Sequence, residues 1–248
     1  MKFVGERRAL AAAVFAFWFL AYVAMVLGAH YGFLPPDFTK AFAAIAGVYG
    51  LAFFALVAGY FWARWYAVGV GLYGVITSVA GYWQSSPSDR EVLLPILLFI
   101  GGTHLVATLL LWGNTMSGPY DGQTAWREKL HMDESAVQRL GRSVIRAGVS
   151  LPFVLLYALA PKPGGAELVV SIAALALAGL GLRATVKLKT WGVLALGCSG
   201  ALMLGMAGAD LLVHGAGLFA LRPALAGGLL LGATAPFLQP MLRWVAAR

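Results

Sequence analysis

Apolar residues in this chain come in long runs that recur from one end to the other, separated by short polar connectors. A hydrocarbon core of about 30 Å needs roughly 20 helical residues. Eight segments approach that length: 9–29, 40–62, 65–84, 93–113, 144–161, 167–183, 190–207 and 223–244. The pattern predicts an all-α, polytopic transmembrane helical bundle of eight spans. The fifth to seventh are short, and merging or losing one gives seven as the alternative. The N-terminus begins with Lys2, Arg7 and Arg8, as a signal peptide would, but the following run of about 21 residues exceeds the 7–15 of a signal core. It reads as a retained first span.

Composition agrees: 60% of the 248 residues are hydrophobic and 11% charged, against about 25% charged in soluble domains. No soluble domain of ordinary size fits between the runs. With an N-terminus inside, 14 of the 18 Lys and Arg fall on the cytoplasmic side, leaving Lys40, Arg90, Lys162 and Arg222 outside. That is the positive-inside asymmetry. It accounts for the net charge of +8 through topology, so nucleic acid is not required as a partner and anionic lipid suffices. The expectation is a multi-pass protein of the bacterial plasma (inner) membrane, judged from short loops and spans rich in Ala, Gly and Leu, with both termini cytoplasmic.

Residues 1–113 form a first transmembrane half, 114–143 a cytoplasmic loop and 144–248 a second half. In the loop, "GNTMSGPYDGQ" is turn chemistry. "DESAVQRLGR" (133–142) predicts a short helix, N-capped by Asp133 or Ser135, that runs into the fifth span. Phe61, Trp62, Trp65, Tyr66, Tyr82, Trp83, Trp112 and Trp244 read as interfacial anchors. Pro152, Pro236 and Pro240 lie within spans and are expected to kink or end them.

A shift of 126 residues pairs Trp65 with Trp191, Gly71 with Gly197, Gly74 with Gly200, Gly101–Gly102 with Gly227–Gly228, and Ala107–Thr108 with Ala233–Thr234. This points to an internal repeat of four plus four spans. An even number of spans per unit makes the halves parallel. The first span fits the repeat poorly, displaced by about eight residues. Because lipid supplies little hydrophobic drive between helices, small residues at helical spacing mark contact faces.

Chemistry has few places to reside. His104 lies in the middle of an apolar run, where an ionisable group is a functional candidate by default. With Thr108 it forms a candidate intramembrane polar site. Its repeat counterpart is Leu230, so the scaffold does not demand a histidine there; the competing reading is a neutral imidazole bonded to a neighbouring helix with Thr103 or Thr108 nearby. The candidate outer-face cluster is Asp210, His214 and Arg222, the first two sharing a helix face four residues apart. A carboxylate beside an imidazole suits proton relay or cation binding, or else a surface pair.

Reaction motifs fail on arithmetic. "GCSGA" and "HLVATLLLWG" resemble stretches of rhomboid-type proteases, but Thr108 stands where that pattern has asparagine and the order of elements is wrong. No H-E-x-x-H occurs. The single Cys198 excludes an intramolecular disulfide and cysteine clusters, and it reads as a small packing residue. No catalytic residue, metal or cofactor is assigned; haem held by His104 and a non-histidine partner stays open. The leading reading is a non-catalytic subunit or scaffold of a membrane complex, in contact with lipid and with other subunits or a homo-oligomer. The alternatives are a small-solute or proton-coupled transporter, then a membrane enzyme or cofactor carrier using His104.

Overall fold

The computed structural model describes the chain except residues 1–3, 34, 36–37, 114–115, 117–132, 163, 216 and 247–248, and the side chains at 218–219 and 239–246. The turn-rich stretch "GNTMSGPYDGQ" falls almost entirely outside the described residues. Among the described residues every long element is helical: α1 (Val4–His30), α2 (Thr39–Ala58), α3 (Ala63–Gln84), α4 (Pro87–Leu111), α5 (Glu134–Leu159), α6 (Gly165–Val186), α7 (Thr190–His214) and α8 (Leu218–Ala246). Most run past the apolar segments that predict them, because a helix continues into the interfacial layers once its backbone is paired. The short helix at 133–142 is the first part of α5, N-capped by Asp133, whose carboxylate accepts from the Ala136 amide at 2.6 Å. That amide bond, then the Ser135 hydroxyl, holds the Asp133 carboxyl below its ordinary range. Pro152 ends nothing: α5 passes through it, as α4 passes through Pro95.

Seven of the eight helices are long and apolar enough to cross a membrane, and the protein is a multi-pass helical membrane protein. The helix below that bar is α3, not one of the short later runs. It is 22 residues long but carries Gly69, Gly71, Gly74, Thr77, Ser78 and five aromatics with polar tips or ring nitrogens, Trp65, Tyr66, Tyr73, Tyr82 and Trp83. Much of its surface is buried, including Tyr66, Val70, Gly71 and Gly74, so small residues replace the leucines that lipid-facing helices present.

The chain divides into two compact units, Met1–Leu130 and His131–Arg248. In the first, α1 packs on α2 and α4, and α3 packs on the same two. In the second, α5 and α7 each pack on α6 and α8. Each unit is therefore a closed ring of four helices with short connections between antiparallel neighbours.

One end of the first unit is held by arginines. Arg8 donates to the carbonyls of Leu56 and Val57 at the end of α2. Arg7 reaches Leu109 and Trp112, and Arg64 reaches Leu111 and Gly113, at the end of α4. The last carbonyls of a helix lack intrahelical partners and carry the negative end of its dipole, so cations from adjacent helix starts satisfy both. Gly59, at φ +74°, closes α2 beside Arg8 in the left-handed region where glycine is unstrained. Tyr66, expected at the interface, is instead 1% exposed in the core.

Candidate functional site

Helix α4 carries His104 to the centre of the first unit, where it is 1% exposed. Its Nδ1 lies 2.6 Å from the Ile100 carbonyl one turn earlier. A carbonyl only accepts, so Nδ1 bears the hydrogen. In the neutral ring Nε2 is then the acceptor, and the Tyr49 hydroxyl donates to it at 2.6 Å. Tyr49 stands on α2, diagonally across the ring from α4, so the bond passes through the bundle's middle.

Aromatic rings enclose the pair. Trp18 of α1 lies 5.0 Å from the imidazole and Tyr22 stacks on Tyr49 at 5.4 Å between centroids. The Trp18 indole N–H donates to the Thr103 hydroxyl at 3.1 Å, which itself donates back to the carbonyls of Phe99 and Ile100. Thr103 thus serves α1 rather than His104, and the sequence expectation that Thr103 or Thr108 partners the imidazole gives way to Tyr49 and Ile100.

Space for the imidazole is made on α3. A Cβ added at Gly74 would lie 2.0 Å from the His104 ring, and one added at Gly71 would lie 2.2 Å from the Thr108 hydroxyl. Gly101 faces Ser78 in the same antiparallel seam, where an added Cβ would lie 3.1 Å from that of Ser78. In the second unit Gly197 faces Thr234 and Gly227 faces Leu204. Both pairs are the first unit's pairs shifted by 126 residues. A Cβ added at Gly200, 126 residues after Gly74, would meet the Leu231 side chain at 2.9 Å and the α8 backbone at Gly227 and Leu231, both at 3.0 Å, rather than a buried ring.

Thr108 differs from its counterpart. It is 3% exposed and its hydroxyl has no hydrogen-bond partner among the described residues. The Thr234 hydroxyl donates to the Leu231 carbonyl at 2.7 Å and turns its methyl toward Gly197.

The outer-face cluster is regrouped. Asp210 accepts from the Tyr157 hydroxyl at 2.9 Å. The Lys162 ammonium sits 3.2 Å above the Tyr157 ring centroid, and burial pushes it down while Asp210 and Glu167 push it up. His214 and Arg222 are exposed at the end of α7 and the start of α8. Tyr157, Lys162 and Glu167 are missed by sequence reasoning because Tyr157 lies 53 residues from Asp210. Cys198, read as a packing residue, is exposed on α7. Among the described residues no three His, Cys, Asp or Glu side chains gather as metal ligands. No family model, no curated protein and no solved structure matches the chain.

Proposed function

We propose that this protein is a non-catalytic integral subunit or scaffold of a membrane complex, built from two four-span units and seated in the bacterial plasma membrane with both termini cytoplasmic. The observation that carries the reading is the state of His104. Both ring nitrogens are engaged, by Ile100 and Tyr49, and the ring is closed off from solvent. A polar group of this kind acts as interhelical glue, each such bond worth about 0.6–2 kcal/mol in a membrane.

The repeat is supported by two side-chain pairings that transfer between units under one offset, and by the same ring of helix neighbours in each. Eight crossings, rather than seven, are supported by the α3–α4 seam: Gly71, Gly74 and Gly81 of α3 face Thr108, His104 and Leu97 of α4 in turn, so α3 runs alongside its neighbour over most of its length.

The test is purification into lipid nanodiscs directly from membranes, with the particle mass measured. A stoichiometric second subunit, or a second copy of the 26.2 kDa chain, is the expected outcome; a stable particle holding one chain alone refutes the reading.

One observation favours the transporter alternative: the unpartnered Thr108 hydroxyl one turn from His104, since an unsatisfied buried hydroxyl costs about 1–3 kcal/mol and a transported solute or proton carrier would satisfy it. Solute or proton flux into proteoliposomes, lost in Thr108→Val, would establish that alternative in place of the scaffold.

A further inference from the structure

The Tyr49–His104 contact has a chemical capacity that packing alone does not use. A phenol that loses one electron becomes a strong acid, and Tyr49, 1% exposed, is closed off from bulk solvent. The direct route for the released proton is the hydrogen bond the hydroxyl already makes, to a base. Nε2 of His104 is such a base, because Nδ1 holds the ring's hydrogen for the Ile100 carbonyl, and it lies 2.6 Å from the Tyr49 oxygen.

Other oxidisable rings differ in their acceptors. Tyr66 is equally buried, but among the described residues its hydroxyl reaches the Val48 carbonyl, at 3.5 Å. The Trp18 N–H meets a threonine hydroxyl. Neither acceptor takes up a proton. Tyr157 does meet a carboxylate, Asp210, yet it is half-buried beside the charged outer cluster, where solvent shortens a radical's life. Tyr22, half-buried and stacked on Tyr49 at an interplanar angle of 15°, links the pair electronically to the unit's surface.

We propose that Tyr49 and His104 form a redox-active pair: a one-electron oxidant of the high-valent metal-complex class takes an electron from Tyr49 while its phenolic proton crosses to His104 Nε2. The O–H bond breaks and an N–H bond forms. The products are a neutral tyrosyl radical and an imidazolium whose two N–H groups donate to the Tyr49 oxygen and the Ile100 carbonyl. The oxidant is reduced by one electron, and re-reduction of Tyr49 returns the proton. Burial protects the radical from quenching, as it protects the pair at rest.

The experiment is flash oxidation of the full chain in nanodiscs by photogenerated ruthenium(III) tris-bipyridine, read by electron paramagnetic resonance and transient absorption. The expected result is a long-lived neutral tyrosyl radical that Tyr49→Phe abolishes and Tyr66→Phe leaves unchanged, and whose lifetime falls at least tenfold in His104→Gln, where the amide accepts a hydrogen bond but not a proton. A long-lived radical that persists in Tyr49→Phe overturns the proposal, as does a lifetime unaffected by His104→Gln. Should His104→Gln fail to fold, radical formation in the wild-type chain prepared in deuterium oxide decides: slowing of at least twofold supports proton transfer, and no slowing overturns it. Because these signals need no partner, the result is independent of whether the protein is a subunit or a transporter.

Discussion

Gly74 of α3 and Gly200 of α7, 126 residues apart, do different things in their units. In the first unit the missing Cβ makes room for a side chain, the imidazole of His104. In the second it lets α8's own backbone come close, at Gly227 and Leu231. The polar contacts at the two centres differ as well. At the centre of the first unit side chains meet side chains, Tyr49 to His104 and Trp18 to Thr103. In the second unit buried serines donate to neighbouring backbone, Ser150 to Ala226 and Ser199 to Ala174, and its side-chain pair, Tyr157 with Asp210, is only part-buried. One packing register therefore accommodates either a bulky polar centre or close backbone contact. Among the described residues, it is the first unit that buries an imidazole at its centre.

The sharpest way to break this contrast is to add one methyl at each glycine. Gly74→Ala should cost about 3 kcal/mol, at the upper end of overpacking, because the ring must leave its rotamer and lose Tyr49. Adding His104→Ala should recover more than half, as followed by thermal unfolding in detergent with intrinsic fluorescence. Gly200→Ala should cost about 2 kcal/mol, and truncating Leu231 to Ala should recover little, since the obstructing atoms include backbone. Equal rescue at both sites would erase the distinction.

Tyr49→Phe keeps the ring and removes the donor, leaving His104 Nε2 unpaired, so a loss of about 1–2 kcal/mol is expected. Ser150→Ala should cost less, about 0.6 kcal/mol, in line with interhelical bonds in membranes; a larger loss than that of Tyr49→Phe would reverse the ranking of the units. The smallest effect concerns Asp133. Its carboxyl is held below its ordinary range in the folded chain, so its contribution is present above the unfolded value and is lost as pH falls through the folded one. Asp133→Asn should keep a cap while flattening the stability profile below about pH 4, a change read by acid titration of α5 helicity.

Much of the fold was legible because unbroken apolar length is the dominant constraint in lipid, and all eight runs correspond to helices. Their ends were less so: α7 continues to His214 through Asp210, where backbone pairing persists past the apolar stretch. His104 stood out as a lone polar residue, but its partners did not. Tyr49 is 55 residues away and Trp18 meets Thr103 across 85; no local spacing encodes either. The 126-residue offset located the glycine positions without telling which would face a ring and which a backbone, since that depends on the residue opposite. The i, i+4 spacing places Asp210 and His214 one turn apart on α7, yet the phenol bonded to Asp210 comes from α5. Tyr66 was misplaced because an aromatic at a helix start suits both interface and core.

The central claim is that each unit crosses the bilayer four times, which turns on α3. In a Cys198→Ser background, single cysteines at Tyr60 and Ser86, in the connections before and after α3, can be probed in intact cells with a membrane-impermeant maleimide. The account predicts that Ser86→Cys is labelled from outside and Tyr60→Cys only after the membrane is opened. Labelling of both from the same side would contradict it.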